Sequence, residues 1–262
     1  MNQGSIETVL ITGASSGIGL ELAGCFAAAG CRLVLVARNP PALEALAKKL
    51  WETHGVEVIV LTSDLSLPES PRQIFDALQA RSVAVDVLVN NAGFGANGDF
   101  AELPIQRELE MVRVNINALM ELTARFLPAM IIRNRGGVLN VGSVAGFQAG
   151  PGMAVYFASK AFVLSFTEAL AEELRATRLT VSVLCPGPTA TNFGAVALGP
   201  KARSHRVAKM SAQAVARAGH RAFRRGRVTV IPGWLNFGMV FLVRLLPRWL
   251  PRRIVRHYNQ TR

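Results

Sequence analysis

Carboxylates are missing from the last third of this 262-residue sequence. All 17 aspartates and glutamates lie at or before Glu173, together with 12 basic residues, and the remaining 17 arginines and lysines have no acidic counterpart. The net charge of +12 therefore has its origin in the C-terminal region. Such a field could draw nucleic acid, anionic lipid head groups, or an acidic carrier or phosphorylated substrate, or it could be a solvated basic face. Cysteine is scarce as well. Cys25, Cys31 and Cys185 show no CxxC or Cys/His ligand spacing, which excludes a disulfide framework, gives no reason to expect a metal, and fits a reducing, cytoplasmic setting. The start, MNQGSIETVLITG, lacks a charged leader region and is not expected to be a signal peptide. No low-complexity linker or internal repeat divides the chain, so one domain over residues 1–262 is expected, long enough to bury its own core.

What is present is an alternation of short β-branched runs with longer stretches of helical period, the pattern of repeated βαβ units. Strands are predicted at Thr8–Thr12, Leu33–Ala37, Glu57–Thr62, Asp86–Asn90, Val138–Gly142, Thr180–Cys185 and Val228–Ile231. Helices are predicted at Gly17–Ala29, Pro41–His54, Pro71–Ala80, Ile105–Arg133, Met153–Ala176 and Ser211–Arg224. The expected fold is α/β, a Rossmann-type doubly wound parallel sheet of about seven strands with a C-terminal helical lid and tail.

The first strand runs directly into TGASSGIG, where Gly13, Gly17 and Gly19 open a helix. Residues without a side chain let backbone N–H groups approach a pyrophosphate at the positive end of that helix. The spacing is GxxxGxG rather than GxGxxG, so the context carries more than the glycines do. Gly13, Ser15, Ser16, Gly17, Ile18 and Gly19 form the expected cofactor-binding turn. At the end of the second strand, where an acidic residue would bond a ribose 2′-hydroxyl, the sequence has Arg38, whose guanidinium matches a 2′-phosphate, so NADP(H) is expected. Alternatively Arg38 is merely solvated and Asn39 or Ser15 contacts the ribose.

Two further stretches, NNAG at Asn90–Gly93 and YFASK at Tyr156–Lys160, complete a combination. With TGASSGIG, a helix asparagine, a serine and a PG turn in order from about Thr8 to Asn192, the chain resembles the short-chain dehydrogenase/reductase family. The four-residue spacing of Tyr156 and Lys160 stacks both side chains on one helix face, where the ammonium is expected to lower the tyrosine's pKa of roughly 10 and make it a general acid or base. The resemblance implies further roles. Lys160 also bonds the nicotinamide ribose, Ser143 holds the substrate oxygen, and Asn115, or Asn117 in its place, holds a water that connects Lys160 to solvent. It likewise places Asp64 near the adenine, has Asn90, Ala92 and Gly93 line the adenine-ribose side and stabilise the sheet, and closes Pro186, Gly187, Thr189 and Thr191 over the nicotinamide. Cys185 is expected to be a packed small hydrophobe.

Beyond Asn192 the family pattern gives little guidance. Residues 193–226 are expected to form the substrate lid region, with Phe193–Met210 as a mobile segment that orders over a ligand. The tail from 232 to 262 mixes apolar residues with arginines, and Arg244, Pro247 and Pro251 interrupt the roughly 20-residue run a membrane span needs. It could lie on an anionic membrane, wall a hydrophobic pocket, or pack against another subunit. The reading that follows is an NADP(H)-dependent oxidoreductase of a lipophilic ketone, aldehyde or secondary alcohol. It is expected to be a homodimer or homotetramer, cytoplasmic or peripheral at the inner face of a membrane. A 3-oxoacyl carrier-protein reductase and a non-catalytic NADP-binding sensor or scaffold are the alternatives. Nucleic acid is not expected as a partner, since the basic region lacks a reading motif and a stacking set.

Overall fold

In the computed structural model, which describes residues 6–194 and 209–260, the chain forms a seven-stranded parallel sheet with helices on both faces. In chain order the elements are β1 (Thr8–Thr12), α1 (Gly17–Ala28), β2 (Arg32–Ala37), α2 (Pro40–His54), β3 (Val58–Thr62), α3 (Ser70–Ala80), β4 (Val87–Asn90), α4 (Ile105–Val112), α5 (Leu119–Arg133), β5 (Gly137–Val141) and α6 (Ala154–Glu173). They continue through β6 (Thr180–Leu184), β7 (Thr189–Ala190), β8 (Met210–Ser211), α7 (Ala212–Arg224), β9 (Thr229–Val230), α8 (Trp234–Leu245) and α9 (Trp249–Gln260). The sheet order is β3-β2-β1-β4-β5-β6-β9, so the winding reverses between β1 and β4. In such a sheet the crevice beyond the C-terminal ends of those two strands is where ligands bind.

The strands explain themselves by composition. Every residue of β1, TVLIT, is buried, and a central parallel strand covered on both sides needs such an uninterrupted apolar run. Its alternate residues feed two cores. Val9 and Ile11 join Leu22, Phe26, Leu35, Leu43 and Phe223 beneath α1, α2 and α7, while Leu10 joins Ile74, Leu78, Leu122, Phe126 and Met130 beneath α3 and α5. Each fully buried leucine of this kind contributes roughly 1.5–3 kcal/mol. The helix ends are set locally. Asn39 accepts from the Ala42 amide at 3.2 Å ahead of Pro40 and Pro41, and Gly55 closes α2 at φ +67°.

The strand and helix ends differ from the sequence reading by a few residues. The predicted helix over Ile105–Arg133 needs correction in kind, because Arg113–Ala118 between α4 and α5 is a π-helical turn centred on the buried Asn115. A 3₁₀ turn at Val144–Phe147 and the two-residue strands β7 and β8 carry no periodicity and were not foreseen. Among the described helices, α6 is long and apolar enough by composition to cross a membrane, yet it is the core helix that packs Val163, Leu164 and Leu170 beside β6. Of the expected lid segment Phe193–Met210, residues 195–208 lie outside the described residues.

Candidate active site

The glycine turn sits at the switch point and is built by residues from both sides of it. Gly13 and Gly17 take φ of +65° and +58°, and a Cβ on Gly13 would come within 2.9 Å of Ala92 Cα. The Asn91 amide donates to the carbonyls of Thr12 at 2.9 Å and Gly13 at 3.1 Å, and the Thr12 hydroxyl accepts from the Asn91 and Ala92 amides at 3.0 Å each. Ser16 is the N-cap of α1 but makes no capping bond through its side chain, and the first turn holds no acidic residue. The N-terminal N–H groups of α1 can therefore serve an anion, and the missing Cβ at Gly13 leaves its backbone open to close approach. Ser16 is exposed, while Ser15 and Ile18 are half-buried on the same turn. These features fit a dinucleotide pyrophosphate.

Arg38 follows β2 with its side chain 74 % exposed and its Nη1 3.8 Å from Asp64 Oδ2 beyond β3. At that exposure the pair contributes little to stability, and the guanidinium remains available to a phosphate. Asp64 Oδ1 meanwhile accepts from the Ser66 amide at 3.0 Å, and the Asn39 side-chain oxygen is engaged in capping α2. Asn90 takes the sheet-stabilising part of its expected role and not the ribose-lining part. Its side chain does not line the ribose side but is buried under the sheet, where it donates to Thr123 Oγ1 at 3.1 Å and Asn140 Oδ1 at 2.9 Å. The reason is the two-residue period of a strand, which points Asn90 into the core and hands the glycine turn to Asn91. Ala92 and Gly93 remain at the crevice, half-buried and exposed.

At the ends of β4 and β5 the catalytic candidates converge. The Ser143 hydroxyl accepts from the Ala145 amide at 3.1 Å, which caps the 3₁₀ turn, and donates to the Pro186 carbonyl at 3.5 Å. Lys160, one turn further along α6, donates to the Val141 carbonyl at 2.9 Å, with Nζ 5.9 Å from the centre of the Tyr156 ring. A Cβ on Gly93 would stand 3.4 Å from Lys160 Nζ and 3.0 Å from Asn115 Oδ1, so only glycine leaves the gap between those two groups open. Asn115 accepts from the Phe94 amide at 3.1 Å and donates to the Phe94 carbonyl and to Ser159 Oγ, each at 3.0 Å. Ser159 in turn donates to the Tyr156 carbonyl at 2.7 Å. Asn117 is exposed on the other side of the π turn, which separates the two asparagines left open by the sequence.

The electrostatics reverse one expectation. Burial, which penalises the phenolate, pushes Tyr156 up to about 12, with only the neighbouring Ser143 hydroxyl opposing it. Lys160 is itself desolvated and falls to about 8, so desolvation outweighs the ammonium's effect on its neighbour. Tyr156 is thus held as a neutral phenol. Cys185 lies fully buried behind Ser143, and burial raises its thiol to about 12, which leaves it an unreactive packing group.

The remaining predicted residues frame this centre. Pro186 accepts from the Val144 amide at 3.0 Å, Thr189 Oγ1 donates to the Gly187 carbonyl at 2.9 Å, and Thr191 lies against Gly17, carrying the PG segment across to α1. Tyr156 packs in an apolar cluster with Ala96, Met111, Ala145 and Met153, and the Phe193 ring lies 5.3 Å from its own. Among the described residues no group of histidine, cysteine and carboxylate side chains could hold a metal ion. The sequence reading passed over Thr12, Asn91 and Ser159. Asn91 was legible in the strand period of NNAG, and Ser159 in its three-residue offset from Tyr156; Thr12 gave no signal of its own.

Comparison with known proteins gives concordant results. A family model described as short chain dehydrogenase matches residues 7–198. An NADP-dependent 3-hydroxy acid dehydrogenase of Schizosaccharomyces pombe is 36% identical over 208 residues, covering 78% of this chain and 80% of that protein. A putative ketoacyl reductase of Streptomyces coelicolor is 40% identical over 192 residues, 72% of this chain and 73% of that one. Among solved structures, a short-chain dehydrogenase from Sphingobium yanoikuyae in complex with NADPH aligns with a TM-score of 0.82 at 34% identity, covering 87% of this chain and 88% of that chain.

Proposed function

Since this chain belongs to the short-chain dehydrogenase family, we propose that it is an NADP(H)-dependent reductase of a lipophilic ketone or aldehyde, with Tyr156 as the proton donor. The observation that carries the reading is the junction of Ser143, a neutral Tyr156 and a buried Lys160 beside a helix N-terminus that no side chain caps. The glycine turn and the α1 N-terminus would hold the pyrophosphate, Arg38 the 2′-phosphate, and Lys160 the nicotinamide ribose. A bound dihydronicotinamide would supply the hydride. The Ser143 hydroxyl and the Tyr156 phenol hold the substrate oxygen, and the phenol gives up its proton as negative charge grows there. Lys160 stabilises the phenolate that results, and Asn115 with Ser159 fixes the backbone of α6 beneath both groups. NADP(H) over NAD is supported by the guanidinium at position 38 and by the NADP(H) named for two of the similar proteins.

The apolar side chains of Met153 and Phe193 packed beside Tyr156 favour a lipophilic substrate. A carrier-bound 3-oxoacyl group is the second reading, supported by the Streptomyces coelicolor relative and by a basic C-terminal region suited to an acidic carrier. The intact serine, tyrosine and lysine argue against a sensor or scaffold without chemistry. We further propose assembly into a homodimer or homotetramer and peripheral attachment at an anionic membrane. Replacing Tyr156 by Phe should lower turnover with NADPH by roughly 10²–10⁴-fold while leaving NADPH affinity within a few-fold. Unchanged turnover in Tyr156→Phe would remove this mechanism.

A further inference from the structure

α8 has the sequence WLNFGMVFLVRL, apolar nearly all round, and a helix of that composition belongs in an interior. Here Val240 is its buried residue, with Asn236 and Val243 half-buried beside it, and the rest of its circumference faces out. Trp234 is 81% and Leu245 67% exposed, and Leu235, Phe237, Phe241 and Leu242 are also exposed. A continuous patch of this kind calls for a covering partner. The neighbouring helix α9 is built differently. It turns Pro251, Val255 and Asn259 inward and presents Arg252, Arg253 and Arg256 outward, while Arg244 and Arg248 lie just before it.

Charge decides between the candidate occupants. A second copy set face to face on this patch would bring the same arginines together, against a single neighbouring carboxylate among the described residues, that of Glu168, which lines a groove with Phe237, Phe241 and Arg244 and already accepts from the Thr229 hydroxyl at 2.8 Å. Nucleic acid would satisfy the arginines and leave the aromatic patch exposed. An anionic bilayer answers both, taking the apolar side chains of α8 between its acyl chains and the arginines of α9 at its head groups. Trp234 and Trp249 stand at the starts of the two helices, and the Arg253 guanidinium lies 5.2 Å above the Trp249 ring, an amphipathic pair suited to the interface.

The same helices are tied to the loops around Tyr156. Asn236 of α8 packs directly against Gly187 of the PG turn, and Asn259 of α9 donates to the Pro151 carbonyl at 2.7 Å, two residues before Met153. Building on the reductase reading above, we propose that α8 and α9 dock the enzyme on an anionic lipid surface and that its lipophilic substrate enters from that surface.

The test uses the full chain and phosphatidylcholine vesicles with and without phosphatidylserine. Partition, read by sedimentation and by a blue shift of tryptophan emission, should require phosphatidylserine. It should fall at least roughly tenfold in R252E/R253E and in F237E/F241E, both checked for cooperative unfolding. A long-chain 2-alkanone dissolved in the anionic vesicles should show a raised KM and an unchanged kcat in both variants, and a water-soluble ketone should be reduced as by wild type. Partition that ignores phosphatidylserine overturns the proposal, and so does a dimer in solution that F237E/F241E dissociates. Turnover of the soluble ketone without vesicle binding would sink the docking surface alone. Vesicle binding without turnover of either ketone would uphold the surface and sink the reductase reading.

Discussion

Lys160 determines how the site responds to pH. Its ammonium, lowered by burial to about 8, must stabilise the Tyr156 phenolate that forms as the proton leaves, whereas the tyrosine stays protonated to about 12. Reductive kcat/KM should therefore fall as pH rises past about 8, and a pH profile of Tyr156→Phe residual activity should lack that limb if the two groups act as one unit. A linked effect appears in stability. Between about 8 and the unfolded value of 10.5 the unfolded chain keeps a proton the folded chain has lost, so the contribution of Lys160 to stability rises with pH across that window. The stability of Lys160→Met relative to wild type should be greatest at pH 7 and should decline toward pH 10 in thermal unfolding. The spacing of Tyr156 and Lys160 was readable in the sequence because a helix forces residues four apart together. The sense of the tyrosine's shift was not, because it depends on how deeply both groups are buried, which no local pattern reports.

At the level of elements, the glycine turn is held from outside itself. Asn91 reaches from the end of β4 to two carbonyls at the end of β1, so Asn91→Ala should loosen the turn and cost about 1–3 kcal/mol of stability, with nucleotide affinity falling alongside in a fluorescence titration. Gly13→Ala should do more, since both the positive φ and the contact with Ala92 oppose a side chain, and loss of measurable nucleotide binding is the expected outcome. The order of strands and helices was legible from periodicity because the central strands are unbroken apolar runs bounded by turn residues. The π turn at Asn115 was hidden inside an otherwise regular helical pattern, since it arises from the bonds between Asn115 and the Phe94 backbone, far away in sequence. β7 and β8 are two residues long and exist only because Thr189 meets Met210 across the fold.

For the whole molecule, the division of charge along the chain becomes a division of labour. The first two thirds, which carry the carboxylates, build the glycine turn and the catalytic groups, and the remainder, without a carboxylate side chain, supplies β6, the PG segment, α7 and the two tail helices that reach back to Gly187 and Pro151. That the tail would be helical was legible from its composition, but its attachment to both sides of the Tyr156 loops rests on Asn236 and Asn259, which nothing in the sequence marks.

The central claim, that an NADP(H) site lies at the switch point, is tested most directly by titrating the protein with NADPH and NADH while following nicotinamide fluorescence, and repeating both titrations with Arg38→Asp. NADPH should bind more tightly than NADH, and the substitution should weaken NADPH by about tenfold to a hundredfold, the worth of a charge-assisted phosphate contact, with NADH little affected. Failure of the wild-type protein to bind either nucleotide would contradict the account at its root.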